Sequence, residues 1–263
     1  MIDNIYTKES LISKLNEIRS MGWISNTRPG NSGGVGNTLE DLLGLKENNL
    51  PIPNAAEWEL KCQRSKTNSL ITLFHMEPSP TALKFVPNML LPNYGWKHKE
   101  AGLKYPKTEK SFRQTISSLS KSDRGFTVVV DKNQQKVMIS FDSKSVDSRH
   151  KNWLTEVKIN IGLNELLPQP YWGFQDLYHK AGTKLHNCFF VLADTKKEES
   201  KEFFYYSKIF KLSMFSLTKF ITAIEQGLIL IDFDARTGHN HGTKFRIRNK
   251  RIIDLYESVE EII

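Results

Sequence analysis

Residues 54–64 read NAAEWELKCQR, directly after a Pro-Ile-Pro stretch at Pro51, Ile52 and Pro53. Extended, this segment sends Glu57, Glu59 and Lys61 to one side and Trp58, Leu60 and Cys62 to the other, because strand side chains alternate. Two carboxylates and an ammonium then share a face. Glu40 stands upstream on a short helical stretch, and Asn54 at the entry to the strand. Mg²⁺ takes hard oxygen ligands and keeps several waters, so one or two carboxylates beside a substrate phosphate suffice. An amine two positions after a glutamate can orient or deprotonate a water and offset charge on a phosphorane-like transition state. That is the chemistry of phosphodiester hydrolysis. The same spacing also makes an ordinary surface ion pair. Glu40 can equally serve its helix N-terminus through the macrodipole, and Glu57 can be a solvated acid.

A second group of residues suits a polyanion. The chain of 263 residues carries a formal charge of +8. Residues 97–113 hold six Lys or Arg, among them Lys97, Lys99 and Lys104, and residues 236–251 hold six more with no acid at all. Solvated faces usually mix signs, so an acid-free run points to a partner such as nucleic acid. Read as a hairpin, 228–236 and 242–248 place Asp232, Asp234 and Arg236 on one face of the first strand, and Lys244, Arg246 and Arg248 on one face of the second. Asp accepts from cytosine N4 and Arg donates to guanine O6 and N7, and a β-ribbon fits the major groove. His239 and His241 occupy the turn, where they can donate to a base or phosphate or simply be turn residues. Arg28 and Asn31 lie in a Gly-rich loop (26–37) that can approach a groove closely. Lys97 and Lys104 suit phosphate contacts that set register. A salt-bridged outer face is the alternative for the hairpin, and a solvated surface for the rest.

The elements that must position these residues follow from periodicity. Residues 8–20 place Leu11, Ile12, Leu15 and Ile18 at helical spacing. Thr38 with Asp41 resembles a capping box that opens a short helix ending at Gly44. Strands are expected at 54–64, 69–76, 186–194 and 202–213, with hairpins at 126–142 and 228–248. Residues 171–184 and 217–227 read as helices, the second stopped by Gly227. The segment from Pro78 to Arg113 looks irregular or partly helical. This mixture indicates an α+β protein with a central mixed sheet in two lobes. The N-terminus MIDNIYTKES is no signal peptide, and no apolar run reaches the roughly 18–20 residues of a membrane helix. Two distant cysteines, Cys62 and Cys188, suit a reducing compartment. A cytoplasmic protein of prokaryotic type, with no membrane association, is expected.

The segments GNTLEDLLGLKENNLPIPNAAEWELKCQR (36–64) and DFDARTGHNHGTKFRIR (232–248) together resemble the MvaI/BcnI restriction endonucleases, relatives of the strand-nicking repair enzyme MutH in the PD-(D/E)xK nuclease group. The resemblance implies a restriction-endonuclease-like mixed sheet flanked by helices, in two lobes around a DNA cleft. A catalytic lobe is expected in 1–95, and the rest of the core with the recognition lobe in 96–263. Residue by residue, the helix glutamate falls on Glu40, the motif glutamate on Glu59 and the motif lysine on Lys61. The motif aspartate falls on Asn54, whose amide oxygen brings no negative charge and binds Mg²⁺ poorly. An Asp→Asn inactivation, a naturally degenerate site, or Glu57 moving in as a ligand each fit, and the first is preferred.

The resemblance further implies a Mg²⁺-dependent monomer that cuts the two strands of duplex DNA in successive events. Glu59 and residue 54 would hold the ion, and the target would be of the CC-N-GG kind. A cognate DNA methyltransferase would act on the same site without binding this chain. A MutH-like nicking enzyme and a non-catalytic DNA-binding protein on the same fold are the alternatives.

Overall fold

The computed structural model describes residues 6–31, 33–45, 57–248 and 250–262. In chain order the helices are α1 (Lys8–Ser20), α2 (Gly34–Leu43), α3 (Leu91–Tyr94), α4 (Lys151–Asn160), α5 (Phe174–Leu185) and α6 (Leu217–Glu225). The strands are β1 (Ile24–Ser25), β2 (Glu59–Arg64), β3 (Ile71–His75), β4 (Trp96–Lys97), β5 (Lys110–Ile116), β6 (Arg124–Asp131) and β7 (Lys136–Val146). They continue as β8 (Tyr171–Gly173), β9 (Asn187–Glu198), β10 (Lys201–Phe215), β11 (Ile229–Arg236), β12 (His239–Asn240), β13 (Lys244–Ile247) and β14 (Tyr256–Glu261). The chain divides into two units, each assembled from more than one stretch. The first comprises residues 1–71, 179–216 and 249–263, the second 72–178 and 217–248.

The first unit is a mixed sheet in the order β1-β10-β9-β2, with β14 also on β10. The run CFFVLA lies in β9, whose residues 188–193 are all buried, as a strand flanked on both edges and covered on both faces should be. β2 runs parallel to β9, with Glu59 opposite Cys188 and Lys61 opposite Phe190. Helix α1 starts at a capping box in which Thr7 and Ser10 satisfy each other's backbone N–H groups. Its stripe of Leu11, Leu15 and Ile18 packs into one core with Val35, Leu39 and Leu43 of α2 and with Leu60, Phe189, Val191, Phe204 and Ile209 of the sheet. Each such side chain contributes about 1.5–3 kcal/mol on burial.

Two details differ from what the sequence suggests. Helix α2 begins at Gly34, so Thr38 is buried inside it and accepts a hydrogen bond from the Thr27 backbone N–H (3.2 Å) instead of capping the helix. Packing of Val35 against the core outweighs the poor helix propensity of the glycines. The helix does end at Gly44, whose φ of +67° is one an L-residue adopts only under strain. Finally, β2 starts at Glu59 and Glu57 lies in a turn, so Glu57 is not part of the strand face.

The second unit has a sheet in the order β3-β13-β11-β5-β4, with β12 on β11, and a smaller sheet β6-β7-β8. The segment read as irregular before Arg113 supplies β4 and β5; β5 pairs antiparallel with β11. Residues 171–173 form β8, and only then does α5 begin. Aromatic rings fill the interior: Phe112 lies 5.5 Å from Phe126 and 5.4 Å from Phe233, centroid to centroid. The indole N–H groups of Trp153 and Trp172 donate to the carbonyls of Tyr94 and Met76, so these large side chains are buried without an orphaned donor. No helix among the described residues is long and apolar enough to cross a membrane.

Candidate active site

Alternation along β2 divides its side chains. Leu60 and Cys62 join the core beneath α1 and α2, while Glu59, Lys61 and Gln63 leave on the opposite side. That opposite side is not open to solvent. Glu59 is only 1% exposed, and the Lys61 side chain 16%. Lys61 Nζ lies 2.8 Å from Glu59 Oε1. A second ammonium reaches the same oxygen: Lys184, in the last turn of α5, places its Nζ 3.7 Å away. Glu59 Oε2 is buried and accepts no hydrogen bond among the described residues. A buried carboxylate oxygen with no donor is costly, and it is the kind of atom a hard cation would satisfy.

Two further polar groups sit against Glu59. Burial pushes the Cys188 thiol up to about 12, with the Glu59 charge adding to it. Burial likewise raises the Tyr256 phenol well above its ordinary range, helped by Cys188 beside it and by the Glu59 charge. Among the described residues no three His, Cys, Asp or Glu side chains converge on a metal position. Asn54 lies outside the described residues. Glu40 is half-buried on α2 and sits near Cys62, whose thiol is raised first by burial and further by the Glu40 charge. Cys62 leaves β2 on the side opposite Lys61. The structure therefore brings Glu59, Lys61 and Lys184 together and places Glu40 on the helix side of the strand.

The loop before α2 is held by its own contacts. Arg28 Nη2 lies 2.9 Å from Asp41 Oδ1, and that hydrogen bond is the main reason the Asp41 carboxyl sits below its usual range. Asn31 Oδ1 accepts from the Gly33 backbone N–H (2.8 Å), forming an Asx turn that leads into α2. Asn26 donates to Glu202 and accepts from the Arg28 backbone. Glu202 in turn takes both Nε and Nη2 of Arg64, at 2.9 and 3.0 Å, a fork that ties β10 to the strand bearing Glu59.

In the second unit, the run 236–248 has no acid of its own but is not an uncompensated patch. Neighbouring strands and the preceding one supply the acids. Asp232 accepts from Thr115 Oγ1 (2.8 Å) and Arg246 Nη1 (3.2 Å). Asp234 lies between Arg113 Nε (2.7 Å) and Lys244 Nζ (3.1 Å). Burial alone would raise the Asp234 carboxyl; the Lys244 hydrogen bond and the Lys244, Arg113 and His241 charges outweigh it and hold it low. Arg236 donates to Glu109 Oε1 (3.0 Å) and lies over the Tyr105 ring at 4.6 Å. Arg248 follows β13 and donates through Nε to the Gly227 carbonyl. His239 and His241 are exposed, their rings edge to face at 4.2 Å. Lys97 is exposed on β4 opposite Lys110, and Lys104 is exposed beside Tyr105. The outcome is a half-buried lattice of alternating charges on one sheet face, with cationic groups at its margins.

Sequence reasoning missed Lys184, Arg113 and Glu109 as partners of these residues. Arg113 was visible only as one of many cations, because β5 itself was not recognised. No local signal marks Lys184, since the contact depends on how α5 meets β2.

The MvaI/BcnI restriction endonuclease family model matches residues 12–256. Among solved structures, the chain is similar to one described as "Restriction endonuclease MvaI-cognate DNA substrate complex", with TM-score 0.76 and 24% identity, covering 98% of this chain and 100% of that one. It is also similar to "Restriction endonuclease MvaI in the absence of DNA", with TM-score 0.55 and 24% identity, covering 99% and 100%. At that identity the likeness establishes the fold. None of the curated proteins matches the chain.

Proposed function

Because the chain belongs to the MvaI/BcnI restriction endonuclease family, we propose that it recognises a short C/G-rich, near-palindromic duplex of the CC-N-GG type and that Glu59 and Lys61 form its hydrolytic centre. The observation that carries this reading is the buried Glu59, with one oxygen on Lys61 and the other without a hydrogen bond among the described residues. Its unpartnered oxygen fits a Mg²⁺ ligand, with residue 54 as the second protein ligand, whereas Glu40 stays on the helix side of β2 near Cys62. When bound, the ion would polarise the scissile phosphate and lower the pKa of a water.

Glu59 fixes the Lys61 ammonium, so its remaining N–H groups can point at a water or a non-bridging phosphate oxygen. Attack of water oxygen on phosphorus in line with the P–O3′ bond forms one P–O bond and breaks the other, leaving a 5′-phosphate and a 3′-hydroxyl. Lys61 offsets the charge that builds on the phosphoryl oxygens. The lattice of Asp232, Asp234, Arg236, Lys244 and Arg246 would present fixed donors and acceptors to base edges. Arg248, His239, His241, Lys97 and Lys104, and on the other unit Arg28 and Asn31, are assigned to the backbone or groove. With a carboxylate at position 54, the centre would act in a cytoplasmic monomer and cut the two strands in turn.

Asn54 favours a second reading, a chain that binds the duplex and cleaves it poorly. Incubating supercoiled plasmid with Mg²⁺ and either this chain or its Asn54→Asp variant tests both. The expectation is linear product from the variant and little from the parent. Accumulated nicked circles would indicate a MutH-like nicking enzyme, and an inert variant that still binds would indicate a non-catalytic binder.

A further inference from the structure

We infer that Lys184 is a second cation of the hydrolytic centre and contacts the scissile phosphate together with Lys61. This inference rests on the nuclease reading above and extends it to a residue outside the Glu-x-Lys motif. Lys61 alone already neutralises Glu59 at 2.8 Å. Lys184 adds a second positive charge at 3.7 Å from the same oxygen, beyond hydrogen-bond reach. Its side chain is 19% exposed, so the ammonium is largely withdrawn from water with its donors unspent among the described residues.

Two ammoniums on one carboxylate leave a surplus of one positive charge in a half-enclosed site, and such a surplus calls for an anion. A phosphodiester carries one negative charge, and its pentacovalent transition state carries more. Lys184 is therefore matched to charge that grows during the reaction. Its place in the last turn of α5 also suits a cation, since the helix dipole is negative there.

The test needs no cleavage. In metal-free buffer containing chelator, the affinity of a CC-N-GG duplex is measured with each backbone linkage replaced in turn by an uncharged methylphosphonate. For the parent chain, neutralising one linkage per strand should weaken binding roughly tenfold or more, the size of a lost charge-assisted contact. Lys61→Met should erase that sensitivity and so identify the linkage at the centre. Lys184→Met should erase it at the same linkage and nowhere else, and Lys184→Arg should retain it. Should Lys184→Met fail to fold, as read by thermal unfolding, Lys184→Gln replaces it with the same criterion. A scan left unchanged by loss of Lys184, or weakened evenly at every linkage, overturns the inference while the nuclease reading stands. A parent chain with no salt-sensitive duplex binding overturns the nuclease reading, and the inference with it.

Discussion

Replacing Asp234 by Asn changes one oxygen to an amide and leaves the shape of β11 intact. In the structure this carboxylate holds Arg113 at 2.7 Å and Lys244 at 3.1 Å, with side-chain exposures of 28% for Asp234, 41% for Arg113 and 19% for Lys244. The Arg113 pair is solvated enough to count for less than about 1 kcal/mol. Lys244 is the larger loss, because a mostly buried ammonium is left without its counter-charge. Breaking a fully buried pair costs about 3–5 kcal/mol, and at this half-buried site about 1–3 kcal/mol in total is expected. Urea unfolding at neutral pH measures it.

The pH dependence has a definite sign. The folded-state pKa of Asp234 is depressed, so its contribution is full above the unfolded value of about 3.9 and is lost as pH falls through the lower folded value. The difference between parent and variant should therefore close in that acid window. The same substitution adds one net positive charge to the face assigned to DNA. Non-specific duplex binding should tighten and its salt dependence should steepen by about one unit of slope, while discrimination between CC-N-GG and scrambled sites shrinks. A variant as stable as the parent at neutral pH, with unchanged site discrimination, would refute the view of this lattice as a pre-set reader.

Gly44→Ala forces an L-residue to a φ of +67° and should cost about 1–2 kcal/mol in thermal unfolding, through strain at the C-terminus of α2. Glu202→Gln removes the carboxylate that receives the Arg64 fork and Asn26. A loss of about 1–2 kcal/mol in denaturant unfolding is expected, with faster hydrogen exchange in the loop leading into α2. Leu60→Ala opens the core under α2 directly behind the Glu59–Lys61 side of β2; unfolding should show a loss of about 2–5 kcal/mol.

Local rules read some of this molecule well. Helix α1 follows from the spacing of Leu11, Leu15 and Ile18, and the end of α2 from Gly44, because each is decided within a few residues. The shared side of Glu59 and Lys61 follows from the two-residue strand period, and the structure places their charged groups 2.8 Å apart. What local rules could not supply depends on tertiary contact. The start of α2 is set by Val35 and Leu39 reaching the core, which overrides three glycines in the stretch before them. In β5 the buried residues are the adjacent Ser111 and Phe112 and then Ile116, among polar and charged residues, so no two-residue alternation shows. The balance of charge on the basic hairpin comes from Glu109, just before β5, and from Asp232 and Asp234 of β11, so an acid-free run in sequence becomes a paired lattice in space.

The central claim is that a backbone phosphate lies against the buried side of β2, at Glu59 and Lys61. Crystallising the chain with an uncut CC-N-GG duplex and Ca²⁺ tests it most directly. The account predicts one phosphate within hydrogen-bond reach of the Lys61 ammonium and a cation on Glu59 Oε2. A duplex bound with every phosphate remote from Glu59 and Lys61 would contradict it.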